Sequence, residues 1–260
     1  MLKRAFYDLK KYFRYSVVSA KSKLKAEVAN SYLNWLWWIL DPLCFMLIYT
    51  FIFGVVFNAK EQYFPVFIFI GLSMWDFVNK TMLGSVKTIK LNKAIVSRVY
   101  FPKFILILSK IWINGFKMMI SFCIVILMMI IFRVPITWNV LFFIPILLIL
   151  VLFTFGCSCF LMHYGVYVED LSNVLNVAMR FVFYATGIFY NIETRIPHAG
   201  IWLNKINPVA FLITSMRQSL IYGSTPDWKL LLIWLAVSVI LVLLGLRKIY
   251  KSENSYVKAI

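Results

Sequence analysis

Lys103, Lys110 and Lys117 recur every seven residues with Asn114 between the last two, a spacing that puts all of them on one face of a helix. Lys80, Lys110, Lys117 and Arg180 fall inside long apolar runs, where a charge costs about 2.5–3.5 kcal/mol on insertion scales. Groups that costly reach the interface, find a partner or serve a solute. Lys117 either snorkels to the nearer head-group layer or joins a basic stripe that gathers an anion. Arg180, nine residues after Leu171 and so about 13 Å along its helix, either pairs with Asp76 or Asp41 or faces a conduit, where its paired N–H donors suit phosphate oxygens. Asp76 and Lys80 are spaced to pair with each other.

Other chemistry is missing from the sequence. No Gly-Lys pair occurs, so there is no P-loop and no ATP site of that kind. Cys44, Cys123, Cys157 and Cys159 lie in apolar runs, and Cys157-x-Cys159 has no second pair or His/Asp cluster to complete a metal site. His163 and His198 stand alone. An integral-membrane glycosyl- or acyltransferase would need acid/base or metal clusters, yet the adjacent acidic residues are Glu169 and Asp170 alone.

The elements that position these residues follow from composition. Of 260 residues, 62% are hydrophobic and 14% charged, against roughly 25% charged in soluble domains. The chain is therefore expected to be an all-α polytopic membrane protein. Apolar runs near 35–57, 64–83, 104–132, 139–162, 171–192 and 230–246 each approach the ~20 residues a span needs, which predicts six transmembrane helices. With the N-terminus inside, the inner segments 1–34, 84–103, 163–170 and 247–260 hold 17 of 27 Lys and Arg, whereas the outer segments hold six. Both termini are thus expected in the cytoplasm, with 247–260 a basic tail. The net charge of +17 is accounted for by this topology and by contact with anionic lipid, so no nucleic acid is expected as partner.

Three segments outside the spans carry patterns of their own. Residues 1–34 place Leu9, Tyr12, Phe13, Val17, Ala20, Leu24 and Val28 at helical spacing, with Lys10, Arg14, Lys21 and Lys25 on another face, which predicts an amphipathic helix in the interface. The loop 84–103 holds five basic and no acidic residues and ends in Val99-Tyr100-Phe101-Pro102-Lys103. Topology does not require those aromatics, so they suggest a docking knob. In 193–228, Asn207-Pro208 can start a helix and Gly223 can end one, with Arg217 and Gln218 as its polar residues; an outer re-entrant helical pair is expected, allowed at membrane depth only beside protein or a water-filled cavity. Tyr32, Trp35, Trp37 and Trp38 crowd the inner end of the first span, either as an interfacial belt or as an entrance on which sugar rings stack.

Lys23 to Pro42, KLKAEVANSYLNWLWWILDP, together with Arg98-Val99-Tyr100-Phe101-Pro102-Lys103 and with Asn207-Pro208 before a helix carrying Arg217, resembles the permease subunits of type 2 ABC exporters for O-antigen, capsule and teichoic acid. The resemblance implies a six-span subunit of the bacterial cytoplasmic (inner) membrane. It would form a homodimer, pair with two separate ABC ATPase subunits that hold ATP and magnesium, and move a lipid-linked glycan; the chain itself would have no cofactor and no enzymatic site. It further implies that 1–34 is a gate helix, and that 84–103, with Arg98, Tyr100, Phe101 and Pro102, is the coupling segment received by the ATPase. Glu169-Asp170 would be a second contact, where family members often have a basic residue before the Asp. Asn207, Pro208 and Arg217 would belong to the outer gate, and Tyr32, Trp35, Trp37, Trp38, Lys110, Lys117 and Arg180 to the entrance or conduit for a diphosphate-bearing substrate. A type 2 exporter of small hydrophobic drugs or lipids is the alternative within transport.

Overall fold

The computed structural model describes residues 2–29, 32–57, 61–98, 100–192 and 199–259, and among them every regular element is helical. Five stretches are long and apolar enough to cross a membrane: Trp37–Val56, Phe64–Val86, Phe104–Ile131, Trp138–Tyr167 and Trp228–Lys251. The protein is a multi-pass membrane protein. A long helix α1 (Leu2–Val28) precedes α2 (Trp37–Tyr49), which widens into π-helical turns over Thr50–Val56. Then come α3 (Phe64–Val86), two short helices α4 (Thr88–Leu91) and α5 (Lys93–Arg98), α6 (Phe104–Ile131) and α7 (Phe143–Tyr167). The remaining helices are α8 (Leu171–Ala185), α9 (Ala199–Ile206), α10 (Pro208–Leu220), α11 (Trp228–Lys251) and α12 (Glu253–Ala259).

The bundle is organised around α3, in which Val66, Phe67, Ile68, Phe69 and Ile70 are all buried in succession. A helix apolar on every side can be buried on every side, and α6, α7 and α10 pack around this one. α7 and α11 run side by side in the same direction: a Cβ on Gly156 would lie 2.8 Å from Leu241 Cβ, and one on Gly245 would lie 2.7 Å from Cys159 Cβ. Small residues let backbones approach this closely where lipid supplies no hydrophobic drive. By contrast α2 presents Phe45, Leu47, Ile48 and Phe51 outward, as a lipid-facing or partner-facing helix does.

The sixth predicted span, 171–192, is a different object. α8 has 15 residues, about 22 Å at 1.5 Å per residue and short of a ~30 Å hydrocarbon core. It ends where Gly187 takes φ +64°, a left-handed conformation that costs glycine little. The apolar run beyond it, with Ile188 and Phe189, folds inward and is buried. Within 247–260, expected as a basic tail, the structure shows helix. α11 continues to Lys251, and α12 packs back on the bundle with Tyr256 fully buried and bonded to His163 Nδ1 at 2.8 Å.

Candidate functional site: a polar groove, a basic end and a clamped outer end

A groove of about 620 Å³ opens between α2, α3 and α8, with Asp41, Asp76, Lys80, Asn176 and Arg180 as its charged and polar lining and Tyr49, Trp75 and Phe183 among its aromatics. Asn79 Oδ1 on its wall is buried without a hydrogen-bond partner among the described residues. Asp76 pairs with Lys80 at 2.7 Å, as their spacing predicted, so neither Asp76 nor Asp41 serves as a counter-ion for Arg180 among the described residues. Arg180 is instead exposed on the groove wall. A smaller cavity of about 90 Å³, lined by Trp37, Trp38 and Lys117, adjoins the groove, and one of about 480 Å³ lies by Lys23, Glu27 and Lys110. Lys80 lines all of these spaces; its i, i+4 match with Asp76 had accounted for it in the sequence, and that signal hid its central place.

Of the residues assigned to an entrance or conduit, the structure gathers Trp37, Trp38, Lys110, Lys117 and Arg180 around these neighbouring cavities. Tyr32 and Trp35 are exposed and line none of them among the described residues. The seven-residue lysine stripe divides. Lys117 meets Glu27 of α1 at 2.6 Å, so it is held by a partner from the N-terminal helix, and Lys110 faces the cavity beside Lys23. Lys103 is buried under Phe101, with Nζ 4.9 Å from that ring; burial pushes its ammonium below the usual lysine range, and the carboxylate of Glu253 partly offsets the shift.

The C-terminal ends of α3, α7 and α11 and the N-terminal end of α6 meet at one end of the bundle together with the start of α1 and with α12. There α4 and α5 present Arg98, Leu91 and Ile95 outward, with Val96 turned in. The aromatic pair expected as a docking knob separates: Tyr100 is 63% exposed, whereas Phe101 is 3% exposed and packs against Tyr15 of α1. Phe101 therefore anchors the segment from below, and Pro102 is buried beside it. Tyr100 donates to Glu253 Oε2 at 3.0 Å and accepts from Arg4; burial, with that bond, holds its phenol above the ordinary tyrosine range. Glu169 reaches Lys90 across the loops after α3 and α7 at 3.4 Å, and Asp170 is exposed at the start of α8. Val99 lies outside the described residues.

At the opposite end Asn207 caps α10, its Oδ1 accepting from Val209 N at 3.1 Å and Ala210 N at 3.3 Å, with Pro208 in the first turn. α10 stops at Leu220, and the expected terminator Gly223 acts just beyond it at φ +61°, its carbonyl accepting from Asn139 at 2.5 Å. Arg217 is not on a polar face. It is buried, with Nε on Phe67 O at 3.1 Å, Nη1 on Gly187 O at 2.8 Å and Nη2 on Ile188 O at 2.9 Å. Its guanidinium centre lies 3.4 Å from the Phe67 ring centroid. One side chain so joins α3, the turn after α8 and α10. Residues 193–198 of the expected outer segment lie outside the described residues; α9 and α10 are its described helices.

Residues 18–221 match the family described as ABC-2 type transporter. The chain is 27% identical over 241 residues, 92% of each chain, to an O-antigen export system permease protein RfbA of Klebsiella pneumoniae. It is also 27% identical over 240 residues, again 92% of each, to the protein of that name from Myxococcus xanthus.

Proposed function

The chain belongs to the ABC-2 type transporter family, and from that premise we propose that it is the permease subunit of an ATP-driven exporter of a lipid-linked polysaccharide or teichoic-acid-type polymer at the bacterial cytoplasmic membrane. The observation that carries the reading is the groove: cations, amides and aromatic faces line a cavity beside helices apolar enough to span a membrane. A lipid-linked glycan needs that combination, since a diphosphate calls for N–H donors and pyranose rings pack on aromatic faces. The similarity to O-antigen export permeases over nearly the full length supports the same substrate class.

In this reading α8 and the turn after it make the sixth passage together with the outer helices α9 and α10, α1 lies in the cytoplasmic interface, and both termini are inside, as the Lys and Arg distribution favours. A second copy would complete the conduit, covering the apolar face of α2. Two ABC ATPase subunits would supply ATP and magnesium and receive α4, α5, Tyr100 and the Lys90–Glu169 surface. Reconstitution tests this. The purified chain alone should hydrolyse no ATP, and proteoliposomes carrying it with its ATPase should take up a lipid-linked glycan only with ATP and magnesium. Hydrolysis by the isolated chain, or transport of small hydrophobic drugs in place of the glycan, would overturn it.

A further inference from the structure

Glu253 lies at the meeting point of three segments that are remote in sequence. Its Oε2 accepts from Tyr100 at the end of the 84–103 loop and from Arg4 Nη2 in the first turn of α1, each at 3.0 Å. We propose that this carboxylate is the joint through which movement of the 84–103 loop reaches α1, an inference that rests on the coupling role proposed above for that loop.

The joint has a rigid seat. Glu253 opens α12, and α12 is fixed to α7 by the buried Tyr256 and its bond to His163. The carboxylate is itself buried, its Oε1 has no hydrogen-bond partner among the described residues, and its ion-pair partner is Arg4 at 3.0 Å. Tyr100 and Arg4 share that one oxygen and bond each other as well, so a displaced loop pulls on the carboxylate and Arg4 together. Arg4 is tied into α1 as well, by Asp8 at 3.7 Å, and it lies over the Tyr250 ring at 4.7 Å while Tyr250 donates to Asp8 at 2.8 Å.

α1 then acts as a lever. Arg4 and Glu27 stand about 35 Å apart along a continuous helix, and Glu27 holds Lys117 at 2.6 Å beside the cavity that Lys110 lines. A push on Tyr100 thus reaches the lysines of α6 around the groove along α1, which packs against α6. The C-terminal helix, which its sequence presents as a basic tail, becomes the part that fixes the pivot.

The test uses the full-length chain in complex with its ATPase in proteoliposomes, with the native cysteines replaced and spin labels at Ser22→Cys on α1 and Ser224→Cys at the outer end. ATP with magnesium should shift the distance between labels in the parent complex. Glu253→Gln should abolish that shift and lower export at least five-fold, with ATPase rate and folded yield within two-fold of the parent. Tyr100→Phe, which removes a single hydroxyl, should lower export two- to three-fold. An undiminished shift and export in Glu253→Gln, or folded yield falling in step with export in both variants, overturns the joint. A parent complex with neither shift nor export instead overturns the coupling reading beneath it.

Discussion

Arg180 and Arg217 are both guanidinium groups on apolar helices of a membrane protein, and the fold treats them in opposite ways. Arg217 is 3% exposed and makes three bonds to backbone carbonyls under an aromatic ring. Arg180 stands exposed on a groove wall with no ion pair to the acids beside it. The difference teaches that burial of a charge in such a protein is decided by backbone acceptors as much as by acidic partners. The carbonyls of Gly187 and Ile188 lie past the end of α8, outside its helical ladder, Phe67 O in α3 offers a second lone pair, and a planar group with five donors can serve all of them at once. A groove-facing arginine leaves its donors for a solute.

Replacing Arg217 should give the largest effect. Arg217→Leu strands the carbonyls of Gly187 and Ile188, each at about 1–3 kcal/mol when buried and unpaired, and takes a second donor from Phe67 O. Folded yield in membranes should fall at least ten-fold, and Arg217→Lys should recover little, since an ammonium cannot match a fork of three directions. Normal yield with Arg217→Leu would erase the contrast between the two arginines.

Arg180→Gln should do the reverse, lowering export about ten-fold with folded yield within two-fold of the parent. Arg180→Lys should fall between, because it keeps the charge and loses the paired donors. Transport and membrane yield measured side by side settle this; a parallel decline of both would make Arg180 a second structural arginine.

Much of this arrangement was legible in the sequence, and the parts that were not share a cause. Long apolar runs reported the spanning helices 64–86, 104–131 and 228–251 within a few residues, and Asn207-Pro208 reported the start of α10, because those signals are local. Lys117 and Arg180 were flagged by depth alone. The end of α8 at Thr186 and Gly187 was masked by the apolar residues after it, which continue the hydropathy but not the helix. Arg217 read simply as polar because its partners are carbonyls, which carry no residue signature, and come from positions as distant as Phe67. For the same reason Phe101 read as a knob: its burial depends on Tyr15 and the N-terminal helix, a contact no spacing rule reports.

Gly71 offers a gentler probe of the clamp. A Cβ there would lie 2.6 Å from Arg217 Nη2, closer than the two atoms can sit, and the guanidinium cannot retreat without loosening its carbonyl bonds. Gly71→Ala should therefore destabilise the chain by about 1–3 kcal/mol, the usual range for overpacking, and lower its unfolding temperature in detergent while export per folded molecule stays unchanged. Unaltered stability would mean that the clamp has slack.

The smallest effect belongs to the ion pair between the loops after α3 and α7. Lys90 and Glu169 meet at 3.4 Å with side chains 35% and 89% exposed. At such exposure water and salt screen the attraction, and ordering two long side chains offsets most of what remains, which limits the pair to about 0.2–1 kcal/mol. Lys90→Ala should shift thermal unfolding of the isolated chain only slightly and leave export within two-fold. Reversing the charge tests whether this surface serves a partner: Glu169→Lys leaves the chain's own stability nearly untouched, yet in the assembled complex it should weaken ATPase binding several-fold, more at low salt than at high. Titration of the ATPase onto the variant at two ionic strengths reads this directly, and equal affinity at both would confine the coupling surface to α4, α5 and Tyr100.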